Sequence, residues 1–450
     1  RVSYVLIERL HTHGQTVKVE SQMNVTCEGM TDVYPHPFIV DNHNAKGRDG
    51  ADADSYEGAT VVEPIKGYYE KNPVIVMDFA SLYPSVMIAH NLCKSTRVRR
   101  AEDRAKPGVE VHRIGSEEVF FSTKNPGVVP RMVAEAPAAR SATKKKLKAA
   151  VARLEELRDT DSPERRKQLQ LIDALDNRQL ALKVSANSVY GYLGASSAAS
   201  DKTVASTVTN KGREMLMESC DTSRETAKTI VCKSTGEPVG DMTLVYGDTD
   251  SLMVTLSNVT TPDDAWHAGV QMSDAVTNAY AACGHEAKKL EMEKCYLPYI
   301  LFAKKRYCGI KWDENKDGDV VSRGVSYSGT ANKRRDTCTL VHRIYDDMTH
   351  VLLHDRDRSK CMQLFHEWMR KVVVADVPYA DLQITRQVKS KYSNPNLAQA
   401  IVVAKQRARE QGSETKSGDR VKMIYVQGPP GAKVGELAED ADYAQQHKLP

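Results

Sequence analysis

The sequence predicts an α+β chain of several domains, and three observations carry that prediction. Val74 to Met77 form a continuous apolar run, the pattern of a buried strand, and the run stops on Asp78. Residues 243–255, TLVYGDTDSLMVT, place two apolar runs on either side of a Gly-Asp-Thr-Asp-Ser turn, which reads as a β-hairpin. Between about 130 and 195 lie two long helical patterns separated by RDTDSP. With 450 residues, the chain is long enough for two or three packed cores.

In chain order, residues 1 to about 74 are mixed and interrupted by the turn-rich loop DNHNAKGRDGADADSYEG. Asp52 and Asp54 in that loop lack a flanking apolar strand and read as a solvated turn. After Asp78 and Phe79, ASLYPSVMIAHNL reads as a turn into a short helix, so the carboxylate stands at a strand end beside helix amides. In the helical pair, Ser162 suits the cap, Pro163 the first helical position and Glu164 the positive helix end, which predicts an antiparallel hairpin. Arg140 and Lys144 are four residues apart on the first helix; Lys183, Asn187 and Tyr190, spaced by four and then three, share one face of the second. Asp248 and Asp250 flank Thr249 at period two, which on a strand points both carboxylates to one side. From about 330 the pattern is mostly helical and basic.

A hydrophobic content of 41% against 27% charged residues fits a globular protein, and no run approaches the roughly 18 apolar residues of a membrane span. The net charge of +4 is too small to argue for nucleic acid by itself, although basic residues cluster at Lys94–Lys106, Lys144–Lys148, Arg165–Lys167, Lys304–Arg306 and Lys333–Arg335. Nine cysteines are scattered without the close pairs of a zinc or iron–sulfur site, which suggests a reducing compartment. The chain opens on Arg1 with no leader pattern, so a fragment is expected.

Magnesium prefers oxygen ligands, and two or three carboxylates with substrate phosphates suffice to hold it. A strand-end Asp78 facing a hairpin with Asp248 and Asp250 fits two ions roughly 4 Å apart and in-line phosphoryl transfer. Backbone amides around Ser81 and Leu82 suit a triphosphate, and the Arg140, Lys144 and Lys183 faces could grip the same phosphates. Taken singly, each feature also has a plain structural explanation: acidic turns, a helix cap, solvated helix charge.

DFASLYPSVMIAHNLC, KVSANSVYGYLGA, VYGDTDSLMV and AKKRYCGIKW resemble, in order, the signature motifs of the family B DNA polymerases. Weaker similarity fills the gaps at YEGATVVEPIKGYY, LEMEKCYLPYI and GDRVKMIYV, so the resemblance covers nearly the whole chain. The wording is most similar to delta-type replicative members and their relatives in large DNA viruses.

The resemblance implies a right-hand polymerase with an antiparallel palm sheet, helical-hairpin fingers and a mostly helical partial thumb. The implied divisions are a pre-palm remnant at 1–74, palm at 75–130 and 198–325, fingers at 131–197 and partial thumb at 326–450. It implies that Asp78, Phe79 and Asp250 hold two magnesium ions, with Asp248 a nearby carboxylate. Ser81, Leu82, Tyr83, Arg140, Lys144, Lys183, Asn187 and Tyr190 would meet the nucleotide, Tyr83 as a steric gate against a 2′-hydroxyl. Tyr246, Lys304, Lys305, Arg306 and Tyr307 would meet primer-template DNA. Partners implied are deoxynucleoside triphosphates, primed template, and a sliding clamp with accessory subunits; the location implied is the nucleus for a eukaryotic or nuclear-replicating viral source, and otherwise a soluble intracellular one.

The matching region begins after the family's exonuclease domain and stops before the delta-type cysteine-rich modules, so no proofreading is expected of this chain. The thumb-like SRGVSYSGTANKRRDTC carries extra residues between its halves. A reverse transcriptase is disfavoured because the hairpin reads YGDTD rather than Tyr-x-Asp-Asp. A lesion-bypass relative and a non-catalytic scaffold with this fold are the remaining alternatives, the latter opposed by intact Asp78, Asp248, Asp250, Lys183 and Tyr83.

Overall fold

The computed structural model describes residues 17–19, 24–27, 38–39, 61–157, 162–194, 201–392, 394–409 and 415–449; Asp52, Asp54 and their loop lie outside them. The chain divides into two compact units: residues 1–63, 75–259 and 263–294, and residues 64–74, 260–262 and 295–450.

In the first unit, β1 (Val17–Val19), β2 (Asn24–Cys27) and β3 (Phe38–Ile39) make a small antiparallel sheet. The main sheet of this unit pairs β4 (Val61–Val62) with β10 (Met242–Asp248), β10 with β11 (Ser251–Leu256), and β11 with β6 (Val74–Phe79), all antiparallel. The apolar run of β6 forms the centre of the core: Val74, Ile75 and Met77 have no exposed surface. Helix α1 (Leu82–Ala89) follows β6 directly. Its end is fastened by Asn91, whose side-chain amide donates to Ser122 O and Asn125 O while its Oδ1 accepts from Gly127 N. That network fixes the entry to α2 and the small sheet of β7 (Arg97–Val98), β8 (Val109–Ile114) and β9 (Glu117–Ser122).

Helices α2 (Val128–Glu156) and α3 (Pro163–Gly194) form the antiparallel pair that the sequence predicts. Ser162 Oγ accepts from Arg165 N at 3.2 Å, so the cap falls where the sequence places it. Helix α4 (Lys202–Ala227), capped by Asp201, packs near the sheet through Gly247. A Cβ at Gly247 would stand 2.9 Å from Val62 Cγ2 and 3.3 Å from Leu216 Cδ2, so only glycine lets β4 and α4 approach the strand before the acidic turn. Helix α5 (Pro262–Ala282) covers Ile75 in the same way through Gly269.

In the second unit, β5 (Gly67–Tyr69) pairs with β12 (Leu290–Ala303), β12 with β13 (Arg306–Glu314), and β13 with β14 (Val320–Ser328). Helices α6 (Thr339–His350) and α7 (Arg358–Val373) follow. The last stretch adds an antiparallel sheet of β15 (Ile384–Gln387), β16 (Arg420–Tyr425) and β17 (Ala438–Asp440) to helices α8 (Ala398–Ala408) and α9 (Ala441–Gln446). This sheet closes on Val402, Val421 and Met423. Its strands are three to six residues long and far apart in the chain, too short to announce themselves against the helical pattern around them.

Candidate active site

The site is built where β6 and the β10–β11 hairpin meet. In the antiparallel register Asp78 stands opposite Ser251, and Phe79 N donates to Asp250 O at 2.9 Å. Asp248 pairs with Ser251 at the mouth of the hairpin, leaving Thr249 and Asp250 as a two-residue loop. Thr249 takes φ +65°, and Asp250 N donates to Asp248 O at 2.7 Å. The two carboxylates are therefore grouped by a turn and not by the period-two pleat that the spacing suggested, because the strand ends at Asp248.

Burial raises Asp78 from 3.8 to about 8, helped by the neighbouring charges of Asp250 and Glu293, against the opposing pull of Lys294 and Lys183. Asp250 is also pushed up, by burial first, with Asp248 and Glu293 adding to it. Glu293, on β12, is a carboxylate of this cluster that the sequence did not single out. Its signal was faint: the alternation in LEMEK marks a strand but gives no hint that the strand reaches Asp78. Lys294 pairs with Glu293 at 3.0 Å.

The turn after Asp78 is strained. Ser81 adopts left-handed φ 59°, ψ 61° before α1, a conformation that L-residues other than Asn, Asp and Gly rarely take. Ser81 and Leu82 thus open a helix whose first amides point outward, as at any helix start. Tyr83 stacks on Tyr190 of α3, ring centroids 4.0 Å apart at 25°. That contact joins the base of the helical pair to the helix following Asp78. Lys183, exposed on α3, is close enough to the acidic cluster to lower both Asp78 and Asp250.

Arg140 Nε donates to Gln179 Oε1 at 3.2 Å across the helical pair. In this antiparallel pairing Arg140 lies level with a residue one turn nearer the tip than Lys183, about 6 Å along the axis. Exposed Lys144 is a further turn outward. Asn187 lies on α3, with its side chain outside the described residues.

Lys304 and Lys305 form the two-residue turn between β12 and β13, where Ala303 pairs with Arg306 and Lys305 takes φ +59°. Lys304, Lys305 and Arg306 are exposed, and Tyr307 packs on Tyr296 and Tyr299. The segment is a hairpin tip, and β13 is paired on both sides. Tyr246, expected at the primer-template DNA, is fully buried and pairs with Met253. Its place in an apolar strand was the available signal.

With this geometry in hand, the comparisons with known proteins are unambiguous. The model of DNA polymerase family B matches residues 5–450, and the chain belongs to that family. It is similar to DNA polymerase delta catalytic subunits: 32% identical over 450 residues to that of Plasmodium falciparum, spanning 98% of this chain and 37% of the relative. Against the subunit of Oryza sativa the identity is 34% over 459 residues, spanning 100% of this chain and 38% of the relative. The chain thus spans less than two-fifths of the length of these relatives. Among solved structures, the family B DNA polymerase from the archaeon Pyrobaculum calidifontis is similar, with a TM-score of 0.52 and 25% identity over 88% of this chain and 46% of that one.

Among the described residues no helix is long and apolar enough to cross a membrane. Cys93, Cys220, Cys232, Cys283, Cys295, Cys308, Cys338 and Cys361 are free thiols.

Proposed function

We propose that this chain is a DNA-directed DNA polymerase that extends a primer on a DNA template, and that Asp78 and Asp250 hold its divalent metals. The observation that carries the reading is the carboxylate cluster itself. Burial, with the neighbouring negative charges of Asp250 and Glu293, lifts Asp78 to about 8, so carboxylates are crowded together where water screens them poorly. Hard oxygen donors in that state fit magnesium, and the Phe79 carbonyl offers a third oxygen, its ring being buried. When bound there, two magnesium ions activate the primer hydroxyl and neutralise the leaving pyrophosphate.

The chain's own residues do the rest. Asp248 sets the field in which Asp250 works and anchors the turn. Ser81 and Leu82 amides receive phosphate oxygens, with Lys183, Arg140 and Lys144 supplying positive charge along the helical pair. Tyr83, fixed by its stack on Tyr190, presents a ring edge against a 2′-hydroxyl and so selects deoxynucleotides; Asn187 and Tyr190 border the nascent base pair. Lys304, Lys305 and Arg306 grip duplex phosphates without regard to sequence, with Tyr307 behind them. We assign palm to 75–130 and 198–325, fingers to 131–197, thumb to 326–450 and a pre-palm segment to 1–74.

The relatives' name, delta catalytic subunit, supports a role in DNA replication beside accessory subunits, and their eukaryotic sources support a nuclear site of action; a sliding clamp is part of the same proposal. The test is magnesium-dependent primer extension by the chain beside Asp78→Asn and Asp250→Asn. Extension by the parent that both variants lose supports the reading; extension retained by either one refutes it.

A further inference from the structure

A second candidate metal site lies in the first unit, on residues that the polymerase reading does not use. His90 closes the C-terminus of α1, and Glu110 and His112 sit two residues apart on β8. Glu110 Oε2 lies 3.3 Å from His90 Nδ1 and 3.5 Å from His112 Nε2. One donor atom from each of the three falls within 4.8 Å of the others. In a tetrahedral shell with metal–ligand bonds of about 2.0–2.2 Å, neighbouring donors stand about 3.3–3.5 Å apart. The two rings meet nearly edge to face, at 85°, so their nitrogens converge from different directions.

The imidazoles are also poorly satisfied without an ion. His112 is 3% exposed and His90 8%; His90 Nε2 and His112 Nδ1 are buried without a hydrogen-bond partner, and His112 Nε2 has only its long 3.5 Å approach to Glu110. Buried nitrogens of that kind are rare in folded proteins and call for an explanation. His285 stands beside His90, ring centroids 4.8 Å apart, at the edge of the cluster. Lys288, buried nearby, is a positive charge that works against a cation here.

We infer that His90, Glu110 and His112 form a binding site for a borderline divalent transition metal, zinc foremost, that clamps the end of α1 to β8. Two imidazoles and one carboxylate select such an ion over magnesium, which favours all-oxygen shells. The clamp steadies the helix whose other end follows Asp78, and β8 is in turn tied to α4 by Asn210 Nδ2 donating to Arg113 O.

The test uses the full chain, stripped with chelator and dialysed against zinc chloride in excess magnesium. Elemental analysis should find one zinc per chain, retained equally by Asp78→Asn. Glu110→Gln and His112→Asn should each weaken retention by about 100-fold or more, and His285→Ala by less. Glu110 is partly exposed, so its variant keeps the fold and decides the matter if His112→Asn does not. Cobalt substitution adds a signature: intense visible bands of a four-coordinate ion in the parent, lost in Glu110→Gln. Zinc absent from the parent, or retained unchanged by Glu110→Gln, overturns the proposal; zinc lost in Asp78→Asn places it in the acidic cluster and overturns it as well.

Discussion

Two hairpin tips in this molecule use the same backbone device for opposite ends. Asp248–Ser251 and Ala303–Arg306 each close an antiparallel pair over two residues, and each sets one non-glycine residue at positive φ, Thr249 at 65° and Lys305 at 59°. The first tip is acidic and largely shielded from water, and burial, with the neighbouring charge of Asp250, lifts Asp78 beside it to about 8. The second is basic and exposed. The turn supplies position; the surrounding dielectric decides what the charges can do. A shielded acidic tip concentrates demand for a cation at one point. An exposed basic tip gives weak, salt-screened contacts suited to a ligand that must slide.

The largest expected effect separates the two tips outright. Asp78→Asn or Asp250→Asn should lower the rate of primer extension at least several hundredfold, since a displaced metal removes more than about 3 kcal/mol of transition-state stabilisation. Lys304→Ala or Lys305→Ala should leave the single-turnover rate at saturating DNA within a few-fold of the parent. Comparable losses at both tips would erase the contrast.

Next comes stability against pH. Asp78 is raised in the folded chain, so its contribution is fully present below the unfolded value near 3.8 and is lost as pH climbs toward about 8. The metal-free chain should therefore melt lower at pH 8 than at pH 5 by an amount that Asp78→Asn reduces. At about 1.4 kcal/mol per unit the difference is on the order of several kcal/mol. Thermal melts of parent and variant at the two pH values measure it, and added magnesium should narrow the gap.

Much of the acidic tip was legible in the sequence, and the reasons are local. An apolar run ending on Asp78, a turn flanked by apolar runs, and Ser162-Pro163 before a helix are signals that a few neighbouring residues carry. What stayed hidden depends on residues distant in sequence. Glu293 joins the cluster only because β12 runs beside it, and His90 meets Glu110 and His112 across twenty residues or more. Tyr246 shows the converse: a motif residue whose spelling suggested DNA, yet whose strand position buries it.

A smaller effect tests the stacked pair. Tyr83→Ala should reduce discrimination against ribonucleotides by about 10- to 1,000-fold, or about 1–4 kcal/mol, while deoxynucleotide incorporation falls less. Competition between matched ribo- and deoxynucleotides reads this ratio; unchanged discrimination would return Tyr83 to a packing role with Tyr190. The smallest effect belongs to the basic tip. Each of Lys304→Ala and Lys305→Ala should weaken duplex binding a few-fold and reduce the slope of log affinity against log salt by about 1.

The central claim is that the acidic cluster gives up a proton to take a metal, with Asp78 as the group that releases it. Proton release on adding magnesium at pH 7, in weak buffer, measures this directly. The parent should release close to one proton per chain and Asp78→Asn almost none. Metal binding with no proton released by the parent, or the same release from both proteins, would contradict the account.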